Sequence, residues 1–152
     1  MEMRDRIASA LKEAMKSKEA ERLSTLRLVN AAIKDREIAL RGTGEGATVG
    51  DAEILGILGR MVKQRQESAR AYEEGGRLEL AEKELAEIKV IEEFLPRQLT
   101  ADEVAAAISE VMAEIGAASI RDMGRVMAEL KVRHTGQMDF SAVGPMVKAR
   151  LS

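Results

Sequence analysis

Apolar residues recur at every third or fourth position almost from one end of this chain to the other, a period that suits helices and not strands. Ile7, Leu11 and Met15 predict a first helix over residues 3–17, with Ser17-Lys18 as a corner. Leu23, Leu26, Val29 or Asn30, Ile33 and Glu37 predict a second helix to Leu40. Between Gly42 and Gly50 lie four glycines in nine residues. A phosphate-cradling loop needs Lys and then Ser or Thr after its last glycine. Asp51-Ala52 follows instead, so the segment reads as a flexible connector.

Asp51 suits the cap of a third helix, which Ile54, Leu58, Met61 or Val62, Arg65, Ala69 and Tyr72 carry to Gly75-Gly76. Gly56 and Gly59 share one face, either to admit a neighbouring helix or as plain surface glycines. Leu78, Ala81, Leu85, Ile88, Ile91 or Glu92 and Leu95 mark a fourth helix ended by Pro96. The short connection predicts that helices three and four pair as an antiparallel hairpin.

A second unit begins after Pro96. Thr100-Ala-Asp-Glu103 is a capping box, followed by the stripe Val104, Ile108, Val111 or Met112 and Ile115, which Gly116 stops. Ser119 and Asp122 repeat the capping logic before Met123, Val126, Met127 and Leu130. Thr135-Gly136 is a turn, and Asp139 or Ser141 caps the last helix through Val143, Met146 or Val147 and Leu151. Pro145 is tolerable in a first turn, where its missing N–H has no acceptor, so a start near Ser141 is expected. The reading is an all-α, multihelical protein with a helical-hairpin domain over 1–96 and a smaller helical domain over 97–152.

The residues offer little chemistry. No cysteine is present, which excludes disulfides, thiolate metal sites and a Cys nucleophile. His134 is the only histidine and reads as a solvated loop residue in a basic turn, with a nucleic-acid contact as the alternative. The serines form no nucleophile elbow. Glu82, Glu84, Glu87, Glu92 and Glu93, interleaved with Lys83 and Lys89, read as a solvated helix face rather than a carboxylate metal site. No catalytic residue, metal or cofactor is expected. No stretch approaches the ~18 apolar residues of a membrane span, so no membrane is expected and the cytoplasm is the default.

Net charge is −2, against an avid general nucleic-acid binder, but the charge is unevenly distributed. Residues 100–120 carry Asp102, Glu103, Glu110 and Glu114 and no Lys or Arg. Residues 121–152 carry Arg121, Arg125, Lys131, Arg133, Lys148 and Arg150 against Asp122, Glu129 and Asp139. Those six cations are the candidates for phosphate contact, with an ordinary solvated face as the alternative. In the first domain Arg27, Lys34, Arg36, Arg41, Lys63 and Arg65 are diluted by Asp35, Glu37 and Glu67 and read as surface salt bridging. Aromatics number only three, Tyr72, Phe94 and Phe140, against single-stranded RNA readout by stacking. Shape and backbone recognition of a structured RNA stays open.

Several short stretches, in order, carry a family resemblance. They are Leu11-Lys-Glu-Ala-Met-Lys16, Arg22-Leu-Ser-Thr-Leu-Arg27 with Ala31-Ala-Ile-Lys34, Lys63-Gln-Arg65, and Ala81-Glu-Lys-Glu84. Ile91-Glu-Glu-Phe-Leu-Pro-Arg-Gln-Leu99 and Asp122-Met-Gly-Arg-Val-Met127 complete the set. Together they resemble the YqeY-like (GatB/YqeY) family over essentially the whole chain. The part after Pro96 is similar to the tail domain of the B subunit of tRNA-dependent amidotransferases. The resemblance implies two helical domains, the second of a kind that contacts tRNA. It implies a tRNA or another structured RNA as partner, and admits a tRNA-modifying or amidotransferase enzyme as a second one. It brings no catalytic centre, because the carbon–nitrogen ligase chemistry with glutamine as amido donor resides in domains outside the tail. The expectation is a non-catalytic RNA-binding protein, with an amidotransferase accessory or a helical protein-interaction module as alternatives.

Overall fold

The computed structural model describes residues 2–43 and 49–152 and is helical, with no strand among those residues. It divides into two compact units, Met1–Leu95 and Pro96–Ser152. Each has its own apolar core. The first holds α1 (Met3–Lys16), α2 (Ala20–Thr43), α3 (Asp51–Glu74) and α4 (Leu78–Glu92). The second holds α5 (Ala101–Ile115), a 3-10 turn over Ile120–Asp122, α6 (Met123–Arg133) and α7 (Phe140–Leu151). Of the predicted connector Gly42–Gly50, residues 44–48 lie outside the described residues.

In the first unit Ile7, Ala10 and Ala14 face Leu26, Val29, Ile33, Ile54, Leu58 and Ile91. Two expected core positions point outward. Met15 is 54% exposed, because Ile7, Ala10 and Ala14 turn the buried face of α1 away from it. On α4 the buried line is Ala81, Ile88 and Ile91, which leaves Leu78 and Leu85 exposed. Val29, not Asn30, occupies the core stripe of α2.

Asp51 does not cap α3. Gly50 holds that position, and the Asp51 carboxylate instead accepts the N–H of Met3 at 3.2 Å. That N–H is one of the first-turn donors an α-helix cannot satisfy internally. Gly56 and Gly59 are exposed, and a Cβ there would meet nothing, so they are surface glycines.

The hairpin of α3 and α4 forms as expected. Gly76 adopts φ +74°, the Arg77 N–H reaches back to the Tyr72 carbonyl at 2.8 Å, and Gly76 bonds Glu73 at 3.1 Å. This pair of bonds ends a helix on a left-handed residue, a conformation glycine takes without strain. Across the hairpin Arg65 Nε donates to Glu87 at 2.9 Å, with both side chains largely shielded from water.

In the second unit the predicted capping box is present: Glu103 N–H to Thr100 Oγ1 at 3.2 Å, and Thr100 N–H to Glu103 at 3.0 Å. Gly116 ends α5 at φ +72°. Asp139 caps α7, accepting the Ser141 N–H at 3.0 Å. The helix therefore starts at Phe140, and Pro145 falls in its second turn rather than its first. The proline ring lies on the exposed side, while Gly144 is buried with Met123 Cε 3.9 Å from where a Cβ would stand.

Candidate nucleic-acid interface

The six candidate cations occur in two kinds of place. Lys131 and Arg133 lie in the last turn of α6, and Lys148 and Arg150 in the last turn of α7. A cation there complements the negative end of the helix dipole, so those four have a structural reason to exist. Arg121 and Arg125 lie at the opposite end, in the 3-10 turn and the first turn of α6, where the dipole disfavours positive charge.

Local capping fixes that end. Ser119 Oγ accepts the Arg121 N–H at 3.4 Å. Asp122 Oδ2 accepts the N–H groups of Ala118 at 2.9 Å and Ser119 at 3.3 Å. Those two N–H groups, with Arg125 adding a smaller effect, hold the Asp122 carboxyl below the ordinary Asp range. Arg125 touches Asp122 only at 3.4 Å, and its side chain is 64% exposed. Both arginines thus present guanidinium groups to solvent from a capped turn, four residues apart.

Arg133 is different. Its guanidinium donates to Glu129 at 2.8 Å and also to Glu114 of α5. The two carboxylates raise its pKa further above the usual guanidinium range and neutralise its charge locally. It is a clamp between α5 and α6. Arg150 is oriented by neutral acceptors, Ser109 Oγ at 2.6 Å and the Ala105 carbonyl at 3.4 Å, so its charge is positioned without being cancelled. Ser109 and Glu114 are five residues apart, roughly 140° around α5. Arg150 and Arg133 therefore grip α5 on different flanks, and the six cations do not form one continuous stripe. Lys131 and Lys148 are exposed with no carboxylate partner among the described residues.

His134 is half-buried rather than solvated. Its Nδ1 lies 3.0 Å from Gln137 Oε1, which requires the proton on Nδ1. The loop is tied to the start of the unit by Leu99 N–H to the Gln137 carbonyl at 2.9 Å and Gln98 Nε2 to the Gly136 carbonyl at 2.6 Å. Sequence reasoning also overlooked Arg97, which meets Glu103 with two bonds of 2.8 and 2.9 Å. This fork, before the N–H of Thr100, draws the Glu103 carboxyl from 4.5 down to about 2. The signal was an arginine placed ahead of a capping-box glutamate. No three His, Cys, Asp or Glu side chains converge as a metal site among the described residues. No helix there is long and apolar enough to cross a membrane.

The chain belongs to the Yqey-like protein family, whose model matches residues 4–151. It is similar to Altered inheritance of mitochondria protein 41, mitochondrial, of Clavispora lusitaniae, with 35% identity over 85 residues. That match covers 56% of this chain and 46% of the relative. The protein of the same name in Meyerozyma guilliermondii is 38% identical over 85 residues, 56% of this chain and 42% of its own length. An uncharacterized protein of Schizosaccharomyces pombe is 30% identical over 90 residues, 59% of this chain and 69% of that protein. The chain thus spans less than half the length of these two mitochondrial relatives.

Proposed function

We propose that this Yqey-like protein binds the phosphate backbone of a structured RNA, with tRNA the foremost candidate, and has no catalytic activity of its own. The observation that supports the reading is the pair Arg121 and Arg125. They are exposed, held by a capped turn, and set at a helix end where the dipole disfavours positive charge, with only the 3.4 Å contact of Arg125 to Asp122 to offset it. A phosphate at that end would meet both guanidinium groups and the positive end of the α6 dipole. Phe140 is half-buried in the core of the unit, which favours backbone recognition over base stacking. The resemblance read from the sequence after Pro96 to an amidotransferase tail would extend the reading to an accessory of such an enzyme. The cytoplasm is the compartment it assumes.

Binding by three to five contacts releases counterions, so log affinity should fall with log salt at a slope of about −2 to −4, from an affinity on the order of micromolar. Arg121→Glu with Arg125→Glu should weaken tRNA binding and flatten the slope while the melting temperature holds. Arg133→Gln should leave the slope unchanged, since its charge is already met by Glu114 and Glu129. Gel shift or anisotropy across a salt series measures all three. Salt-independent binding, or indifference to the double reversal, would sink the RNA reading.

A further inference from the structure

The outward face of α2 carries a pattern that neither the core nor the RNA reading uses. Leu28 and Ile38 are 45% and 63% exposed, and Ala31 and Asp35 between them are exposed too. The spacing 28, 31, 35, 38 is the three-four-three alternation of a coiled-coil seam. Leu26, Val29 and Ile33 are buried on the other side, so this helix is apolar on both faces. Beside the seam run Arg27, Lys34 and Arg41, seven residues apart, about 10.5 Å per step along the axis. All three are exposed, and none has a carboxylate partner among the described residues. Arg36 on the same helix does have one, Glu53 at 3.1 Å. Ala32, half-buried against the core, and Ala39, exposed, hold the matching positions on the seam's other edge, both small enough for a second helix to approach.

We propose that this face docks an amphipathic helix of another protein, one bearing carboxylates at seven-residue intervals beside its own apolar seam. Charge complementarity selects that occupant. A second copy of α2 laid antiparallel would set the Arg27, Lys34 and Arg41 rows against each other. Laid parallel, it would oppose them with Ala32 and Ala39, which offer no charge. A nucleic-acid backbone would leave Leu28 and Ile38 unmatched and would meet Asp35 in the middle of the seam. An acidic helix satisfies the cations and covers the apolar residues together, and Asp35 favours one register by demanding a polar or cationic group opposite it.

The test titrates the full chain, by anisotropy, with a three-heptad helical peptide bearing Leu and Ile at seam positions and Glu on both flanks. A Lys-flanked counterpart and tRNA serve as the other two probes. The Glu peptide is expected to bind saturably and the Lys peptide not. The triple reversal Arg27→Glu, Lys34→Glu, Arg41→Glu should lose about tenfold or more for the Glu peptide and acquire binding to the Lys peptide. That gain cannot come from a chain that has unfolded. Leu28→Asn with Ile38→Asn should weaken the Glu peptide without changing tRNA affinity, and amide shifts on peptide addition should concentrate in residues 24–42. Failure of the Glu peptide to bind, or equal binding of both peptides, overturns the proposal. A triple variant that loses tRNA but keeps the Glu peptide makes the ridge a phosphate surface instead and equally overturns it.

Discussion

In the unit before Pro96 four arginines reach across to carboxylates, Arg4 to Glu37, Arg22 to Glu93, Arg36 to Glu53 and Arg65 to Glu87, while Arg27 and Arg41 on α2 stay exposed without one among the described residues. Arg6 adds a contact of 5.6 Å over the Phe94 ring and a bond of 3.3 Å to the Glu93 carbonyl. In the unit after it, Arg133 bridges α5 and α6 in the same way and Arg97 forks the capping Glu103 locally, but Arg121 and Arg125 stay turned to solvent. The contrast separates two uses of one side chain. A guanidinium held between helices stabilises the fold and has little charge left to offer a ligand. One that is exposed at the wrong end of a helix dipole adds little to the fold and keeps most of its field, even where, as for Arg125, a local carboxylate touches it at 3.4 Å.

The comparison breaks most readily at Arg65. Its side chain and that of Glu87 are 14% and 17% exposed, so removing one partner leaves a charge short of both water and a counter-ion. Arg65→Met should cost about 2 kcal/mol of stability, measured by urea unfolding. Arg65→Met with Glu87→Met should recover most of that loss, because the pair as a whole is close to neutral against apolar replacements. Arg121→Glu with Arg125→Glu should stay within about 0.5 kcal/mol of the parent. Equal losses from the two sets would erase the distinction between shielded, helix-bridging arginines and solvent-facing ones.

A second effect sharpens it in the later unit. The Arg97 fork and the Thr100 N–H pull Glu103 down to about 2 from 4.5. A carboxyl whose folded pKa is depressed contributes stability that is fully present above its unfolded value. That contribution fades as pH falls from about 4.5 and is gone below about 2. The melting temperature of the parent should therefore exceed that of Glu103→Gln at pH 7, and the gap should close between pH 4.5 and 2. A gap that persists at pH 2 would assign the benefit to capping geometry alone.

The helices were legible because their apolar period is long and regular, and the caps at Thr100 and Ser119 because both partners are local in sequence. Met15, Leu78 and Leu85 misled for one reason: spacing by four or seven drifts around a 3.6-residue helix, and only the neighbours decide which edge is covered. Asp51 and Pro145 misled because a cap depends on where the first turn begins, to the residue. The candidate cations were visible as a charge imbalance. That Glu114 neutralises Arg133, nineteen residues away, and that Ser109 steers Arg150, forty-one away, follows from helix packing that no local pattern encodes.

The smallest effect concerns how helices end. Gly76 and Gly116 occupy left-handed positions, and Lys18, at φ 56°, is the only non-glycine residue with positive φ among those described. The bonding is the same at all three: Glu19 N–H reaches the Ala14 carbonyl at 3.1 Å, as Arg77 reaches Tyr72 and Ala117 reaches Met112. A left-handed L-residue costs about 1 kcal/mol, partly offset on replacement by the greater freedom of glycine in the unfolded chain. Lys18→Gly should therefore raise stability by about 0.5 kcal/mol, a shift of a degree or two in melting temperature. Gly116→Ala should move the other way by about 1 kcal/mol, because it adds a side chain to the same conformation. If Lys18→Gly destabilises instead, the lysine side chain holds the corner between α1 and α2 by contacts that outweigh its backbone strain.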